Sequence, residues 1–442
     1  MKTCQRKILT SVFPGPWGQA PGTAGPLRPS HDNFGFGHFH MNTDSHNRPQ
    51  RSRLLGFFVF QIVLLCGGAA WAVWRVDLHY TERELPVPLH EPLRVGPLYN
   101  EPGVVSDEQL VRVLTRLRPR LRGPQPKINL VDHSLRFWGI EAVFADPKCL
   151  SGLEMLELLL DHRQYSKAWG EKALPLLIEN PDGIRIRTQE GDATASHMDH
   201  TLATLSEVGT PLDYPVIMPG GETEMRHALE WSLKHFSLNQ VEYEWSALAY
   251  VLYMPDAKRW FSTEGQVITF DRLADRIMRQ KPNQGICFGN HRNHALVMML
   301  RVDDEHDTLS DAGRQRIIEY LKGITAMFVA SQHADGYWDQ NWPGADGENL
   351  PGMGTDPMAD RMLATGHVLE WWALAPSELH PPKEVFFKAG QWLSGAIEGL
   401  SEKKLESSYV FLTHAGRALA LWRGKFPAEI VEPLEYVDPA TP

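Results

Sequence analysis

The sequence predicts an all-α domain built as two concentric layers of helices, preceded by one N-terminal transmembrane or signal-anchor helix. Three observations predict it. Apolar residues recur at three- and four-residue spacing through much of residues 106–424, the period of a helix with one buried face. Segments of that kind alternate with stretches apolar all round, such as residues 242–254, which must be covered on every side. Strand signals are scarce. Ahead of this body, Leu54 to Trp74 is an apolar run broken only by Gln61, and about 20 residues suffice to cross a bilayer.

Composition narrows the function. At 442 residues and 43% hydrophobic, the chain can bury a sizeable core. A net charge of −10, with no basic run interleaved with aromatics, argues against a nucleic-acid surface. Of Cys4, Cys66, Cys149 and Cys287, two fall in the leader, so no disulfide framework or zinc-finger spacing exists. Cys149 and Cys287 can pair in an oxidising compartment; two isolated core thiols is the simpler reading.

Residues 1–53 are rich in Pro, Gly, His and Asn without helical period, and read as a disordered cytoplasmic leader. Met41 offers an alternative start that makes residues 1–40 dispensable. Arg48, Arg51 and Arg53 precede the apolar run, and Asp77, Glu82 and Glu84 follow it. That asymmetry puts the N-terminus in the cytoplasm and the large domain in the periplasm or its equivalent. Ala70-Trp71-Ala72 also has the form of a signal-peptidase site. Retained anchor or cleaved signal, the domain is exported, and a retained anchor makes the lipid bilayer its partner.

Residues 75–105 carry Pro86, Pro88, Pro92, Pro97 and Pro102, an extended spacer. Ser106 and Gln109 cap a first helix reaching about Leu117, and Ser151 with Glu154 caps another running through GLEMLELLLDHRQY. Residues 222–237, 270–280, 310–332 and 383–399 have the one-sided pattern of outer helices. Residues 242–254, 291–302, 365–375 and 413–422 have the all-round pattern of inner ones. After Lys425 the chain is acidic and proline-punctuated, a surface strap or disordered tail.

The outer helix over 310–332 runs through Phe328 into Gln332, then Asp335-Gly336 and Trp338, preceded by Lys322-Gly323. This arrangement resembles the QW motif of the squalene-cyclase and prenyltransferase superfamily, in which such a segment closes the outer helices of an α/α toroid. The resemblance implies that fold for roughly residues 130–424. An isoprenoid cyclase or transferase is the activity it suggests. The cyclase acid motif DxDD is absent, as is the Asp-x-Cys and His zinc set of protein prenyltransferases.

The buried segments open alike: Asp132-His133-Ser134, Asp199-His200-Thr201, Asn290-His291, Asn293-His294, Gly366-His367 and Thr413-His414, with Glu242 and Glu244 in the corresponding slot of the sixth. If the fold is a toroid, the inner helices run parallel, and His200, Glu244, His291, His294, His367 and His414 ring one mouth of its cavity. His291, His294, His367 and His414 are then candidate ligands for a divalent metal, and Glu244, His291, His367 and Arg417 candidate acid/base groups. The alternative is that each histidine packs at its own helix start. Cys287 near His291 and His294 suggests a thiol–imidazole pair. Asp303, Asp304 and Asp307 match the DDxxD magnesium motif but fall where an acidic turn is expected. The loop 339–364, with Asp339, Asp346, Glu348, Asp356 and Asp360, covers the domain or grips calcium or a sugar. Three functions follow: a ligand-binding toroid of the cell envelope, a glycan-active lyase or hydrolase, and an isoprenoid enzyme. A glycan or a lipid is the expected ligand.

Overall fold

In the computed structural model, which describes residues 48–81, 85–352 and 356–435, helices supply nearly all the regular structure. The leader up to residue 47, Met41 with it, lies outside the described residues. The chain divides into two units, residues 1–71 and 72–442. Helix α1 (Arg48–Thr81) contains Leu55–Trp74, long and apolar enough to cross a membrane.

In the second unit, α2 (Asp107–Arg116) starts on Ser106, whose hydroxyl accepts from the Gln109 amide at 3.2 Å. After α3 (Ile128–Trp138), the Ser151–Glu154 capping box is complete and opens α4 (Gly152–Leu160). The expected single helix through residue 165 instead breaks at Asp161, which accepts from the Arg163 amide and so caps α5 (His162–Trp169). Hairpin β1–β2 (Leu177–Asn180, Gly183–Ile186) leads to α6 (His200–Glu207). Hairpin β3–β4 (Pro215–Met218, Gly221–Glu224) takes the first residues of the expected 222–237 helix, and α7 (Arg226–His235) begins later. Then come α8 (Glu244–Tyr253), the short pair β5–β6 (Trp260–Phe261, Val267–Ile268), α9 (Phe270–Met278), α10 (Asn290–Asp303) and α11 (Asp311–Ser331). Next, α12 (Pro357–Leu374) starts eight residues before the expected 365, because Asp356 caps it and Pro357 suits a first helical turn. The loop expected to reach 364 is shorter by the same amount. Last are α13 (Lys383–Glu398), α14 (Glu402–Ser407), α15 (Tyr409–Leu421) and α16 (Ala428–Glu435). Helix α16 replaces the start of the expected tail and buries Ala428 and Val431.

Six helices pack in a circuit: α3 on α6, α6 on α8, α8 on α10, α10 on α12, α12 on α15, and α15 back on α3. These are the all-round apolar segments, and every residue of α6 and α8 is buried. Outside them, α4 packs on α3, α9 on α8, α11 on α10, and α13 on α12 and α2. The tightest contact is α12 on α15, where a Cβ on Gly366 would meet the Ala415 backbone at 2.8 Å.

The spacer of 75–105 does not stand clear of the domain. From residue 89 it is a strap across the C-terminal ends of the inner helices. Those ends have carbonyls with no intrahelical partner. Leu89 and Leu93 donate amides to Tyr253 and Leu252 of α8 at 2.7 and 2.9 Å, and Glu101 donates to Trp422 after α15 at 2.8 Å. Tyr99 donates its hydroxyl to Ala375 after α12, and Arg301 of α10 bridges Gly96 and Leu374. Prolines, which donate no amide, separate these contacts without competing for them.

The Phe328–Trp338 segment closes α11 as its residues imply. Gln332 donates to the Gly336 and Val385 carbonyls at 2.9 and 2.8 Å, and Trp338 Nε1 donates to Phe328 at 2.8 Å. Gly336 has φ +109°, and a Cβ there would lie 2.6 Å from the Lys388 carbonyl. Gly336→Ala is therefore expected to destabilise the domain by about 1–3 kcal/mol. Urea unfolding of the two proteins checks this, and unchanged midpoints would refute it.

Candidate functional site

Each of the six circuit helices contributes one aromatic ring to a closed set of ring contacts. In order around the circuit these are His133 of α3, His200 of α6, Trp245 of α8, His291 of α10, His367 of α12 and His414 of α15. Successive ring centroids are 4.3, 4.3, 4.3, 4.7, 3.8 and 5.6 Å apart, the last distance closing the girdle from His414 to His133. All six residues are between 1% and 4% exposed.

One or two turns further along five of these helices lies a second, charged layer, on the same helix faces because three- and seven-residue steps return there. Arg136 pairs with Glu207 at 2.5 Å and with Glu370 at 2.8 Å. Arg417 pairs with the same carboxylates at 3.0 and 2.5 Å. His294 Nε2 donates to Glu207 at 3.1 Å. Despite burial, which opposes it, Arg136 and Arg417 hold Glu207, and Arg136 with the His367 and His414 hydrogen bonds holds Glu370, well below the usual carboxylate range. The order is histidine first and charged residue second on α3, α6, α10, α12 and α15, so these helices run parallel. The strap across the ends of α8, α10, α12 and α15 agrees. Below the charged layer, toward those ends, Arg136, Glu207 and Arg417 floor a cleft of about 410 Å³ walled by Arg94, Trp138 and Phe426.

His200, His367 and His414 are held by one nitrogen and open at the other. Glu370 Oε2 accepts from Nδ1 of His414 at 3.1 Å and faces Nδ1 of His367 at 3.4 Å. Asp132 accepts from Nδ1 of His200 at 2.9 Å, and the Asn129 carbonyl from Nδ1 of His133. Arg136 Nη1 lies 3.2 Å from the same His414 nitrogen and 2.8 Å from Glu370. The ionised Glu370 carboxylate beside Nδ1 of His367 and His414 favours the proton on that nitrogen, which leaves Nε2 as the lone pair. The Nε2 atoms of His200, His367 and His414 have no hydrogen-bond partner, and neither nitrogen of His291 has one. Burial above all keeps His291, His367 and His414 below their ordinary pKa and therefore neutral.

Of the residues expected at the site, His291, His367 and His414 do come together. His294 does not join them; its Nε2 turns one layer down, to Glu207. Arg417 also belongs to the charged layer, one turn from His414. Glu244 sits at the first turn of α8, apart from the girdle, among Glu242, His197 and Arg292, and burial pushes its carboxyl up to about 7. Cys149 and Cys287 are both free and buried. Cys287, His291 and His367 offer donor atoms within 4.8 Å of one another. Burial pushes the Cys287 thiol well up, so by itself it is no ready nucleophile. Asp303 and Asp304 bond Arg314 at 2.9 and 2.6 Å, an ion-paired helix end. Asp339 and Asp356 are tied to His333 and Lys404.

The loops that lead into the inner helices are strained. Cys287 and Phe288 have φ of 50° and 56°, Asp199 56° and Glu242 59°, values that non-glycine residues adopt only when surroundings impose them. All four lie just before the girdle residues of α6, α8 and α10. Compared with protein-family models, curated proteins and solved structures, the chain matches none.

Proposed function

We propose that this chain is a membrane-anchored protein of the cell envelope, an α/α toroid held outside the cytoplasm by α1, whose lumen binds a small ligand at the histidine girdle. One observation carries the reading. Five imidazoles and an indole converge at the centre of a circuit of helices, and several of their ring nitrogens have no partner. Burying polar groups without partners is costly, and an apolar lumen would pack better. A protein that keeps such a lumen has a ligand for it. The girdle is sealed, which suits a small ligand better than a polymer strand. The strain in the loops before α6, α8 and α10 supports the same conclusion, since strained backbone gathers at binding sites.

Phosphatase reporters test the export. A reporter after residue 442 is expected to be active and one after residue 47 inactive, with the chain retained in alkali-washed membranes. An inactive C-terminal reporter would end the envelope reading. Native mass spectrometry of the detergent-released chain is expected to give a mass above that of the polypeptide.

A second reading, a glycan-active hydrolase or lyase, is favoured by Glu244 alone. A carboxyl pushed up to about 7 can deliver a proton near neutrality. The other lumenal carboxylates, Glu207 and Glu370, are held ionised by arginines and cannot share that role. The isoprenoid reading looks for Trp245, Trp371 and Trp372 around a central cavity: Trp245 stands in the girdle, while Trp371 and Trp372 pack toward Phe328 of the outer layer.

A further inference from the structure

The partnerless nitrogens of the girdle define what the small ligand is. We propose that the lumen binds one divalent transition-metal cation of the zinc class, with His291, His367 and His414 as imidazole ligands and Cys287 as the fourth donor. The inference rests on the lumenal-ligand reading and names its chemistry.

The ring spacing is close to what this set needs, with His367 shared between the cluster that holds Cys287 and His291 and the one that holds His414. A tetrahedral metal at 2.0–2.1 Å from each imidazole nitrogen puts ring centroids about 5 Å apart. The three centroid distances among His291, His367 and His414 are 4.7, 3.8 and 5.7 Å. Small ring rotations within the girdle bring them to that value. Cys287 lies with His291 and His367 inside a 4.8 Å donor cluster, on the left-handed turn that leads into α10. Nitrogen and sulfur donors select zinc, copper or cobalt over magnesium or calcium, which prefer oxygen.

The surroundings of the ligands are those a metal needs. Metal-bound imidazoles usually give their other N–H to a carboxylate, which fixes the tautomer and aims the lone pair. Glu370 faces the Nδ1 edges of both His367 and His414, and Arg136 and Arg417 anchor Glu370 in turn. His367, Glu370 and His414 also form a donor cluster of their own. That grouping is better explained as this outer support, because both Glu370 oxygens are already engaged by arginine and imidazole hydrogens. His294 also has a partnerless nitrogen, Nδ1, but its ring turns one layer down to Glu207 and it belongs to neither donor cluster. His200, with its Nε2 open, lies across the girdle beside Trp245 and completes the wall.

The test uses the full chain in detergent, exported and purified without chelators. Metal analysis is expected to find about one zinc-class ion per chain. His367→Ala and His414→Ala should each lower that occupancy at least about tenfold, while His235→Ala, on an exposed residue, leaves it unchanged. Cobalt added to metal-free protein should produce tetrahedral ligand-field bands. Its thiolate charge-transfer band should vanish in Cys287→Ser while the ligand-field bands persist. If the histidine variants fail to fold, the wild type alone decides, through a rise in melting temperature on adding zinc. A wild type without bound metal, and with neither cobalt bands nor a zinc-dependent shift, overturns the proposal. An organic molecule in the native mass spectrum of that metal-free protein would overturn the metal while sustaining the lumenal-ligand reading. A bare polypeptide mass would sink both.

Discussion

Arg417→Met is expected to destabilise the domain by about 3–5 kcal/mol, enough to unfold many proteins of this size at 37 °C. In the charged layer two arginines face two carboxylates, all 2–4% exposed at the side chain. Taking charges out of water is expensive, and only their mutual attraction offsets it. Removal of Arg417 leaves Glu207 and Glu370 with Arg136 alone, an excess negative charge where water cannot screen it. The double variant Arg417→Met with Glu207→Leu keeps the neutral pair Arg136–Glu370, so it should recover most of the loss. The recovery should be partial, because His294 loses its acceptor. Urea unfolding of the wild type, the single variant and the double variant decides the matter. A single variant within about 1 kcal/mol of wild type would show that the layer is solvated and that this account of it is wrong.

Glu244→Gln is expected to act in the opposite direction, and only above acidic pH. The carboxyl has an ordinary pKa of 4.5 and is pushed up to about 7 in the folded chain, chiefly by burial. Glu242 adds to the rise, while the Glu244 backbone amide, Arg292 and His197 oppose it. Below pH 4.5 the group is neutral whether folded or unfolded, and contributes no pH dependence. Between 4.5 and 7 the unfolded chain releases a proton that the folded chain keeps, so stability falls as pH rises. Above 7 the full penalty stands, on the order of 3 kcal/mol from a shift of about 2.5 units. Glutamine never ionises. The variant should match wild type near pH 4 and exceed it at pH 8 by up to that amount. Equal midpoints at pH 8 would mean that the Glu244 carboxyl is not pushed up in the folded protein, which would also remove the acid/base argument for it.

The histidine openings were legible because each sits beside a small polar residue at the head of an apolar run. Of the charged layer's arginines and glutamates the sequence reading singles out only Arg417, although the signal is wider: His133-x2-Arg136, His367-x2-Glu370 and His414-x2-Arg417 repeat one spacing on three buried helices. A charge inside an apolar helix has no local reason to be there, and its partner lies far along the chain. Arg136 and Glu207 are 71 residues apart. His294 was grouped with His291 because spacing alone does not tell which layer a ring enters; that depends on where Glu207 arrives. The strap was read as a spacer since prolines announce extended chain but not what it lies against. Helix α16 escaped notice because Pro433 and its acidic neighbours look like a tail, whereas burial of Ala428 and Val431 is settled by contact with the rest of the domain. The outer-helix closure at Gln332 and Trp338 was legible for the opposite reason: most of its hydrogen bonds are local.

A circuit closes only with its last member. Arg136 meets His414 across 278 residues, and Tyr409 bonds Leu117 across 292. The first helix of the ring must therefore wait, one flank uncovered, until nearly the whole chain has emerged. Contacts of such long sequence separation make folding slow. A nascent chain paused after α12 would present the bare sides of α3 and α12, which α15 alone fills, and these are surfaces on which two unfinished copies could join. Helix α15 is thus the keystone of assembly during biosynthesis. Nonsense mutations near residue 408 should yield aggregated or proteolysed chains instead of shortened, soluble ones.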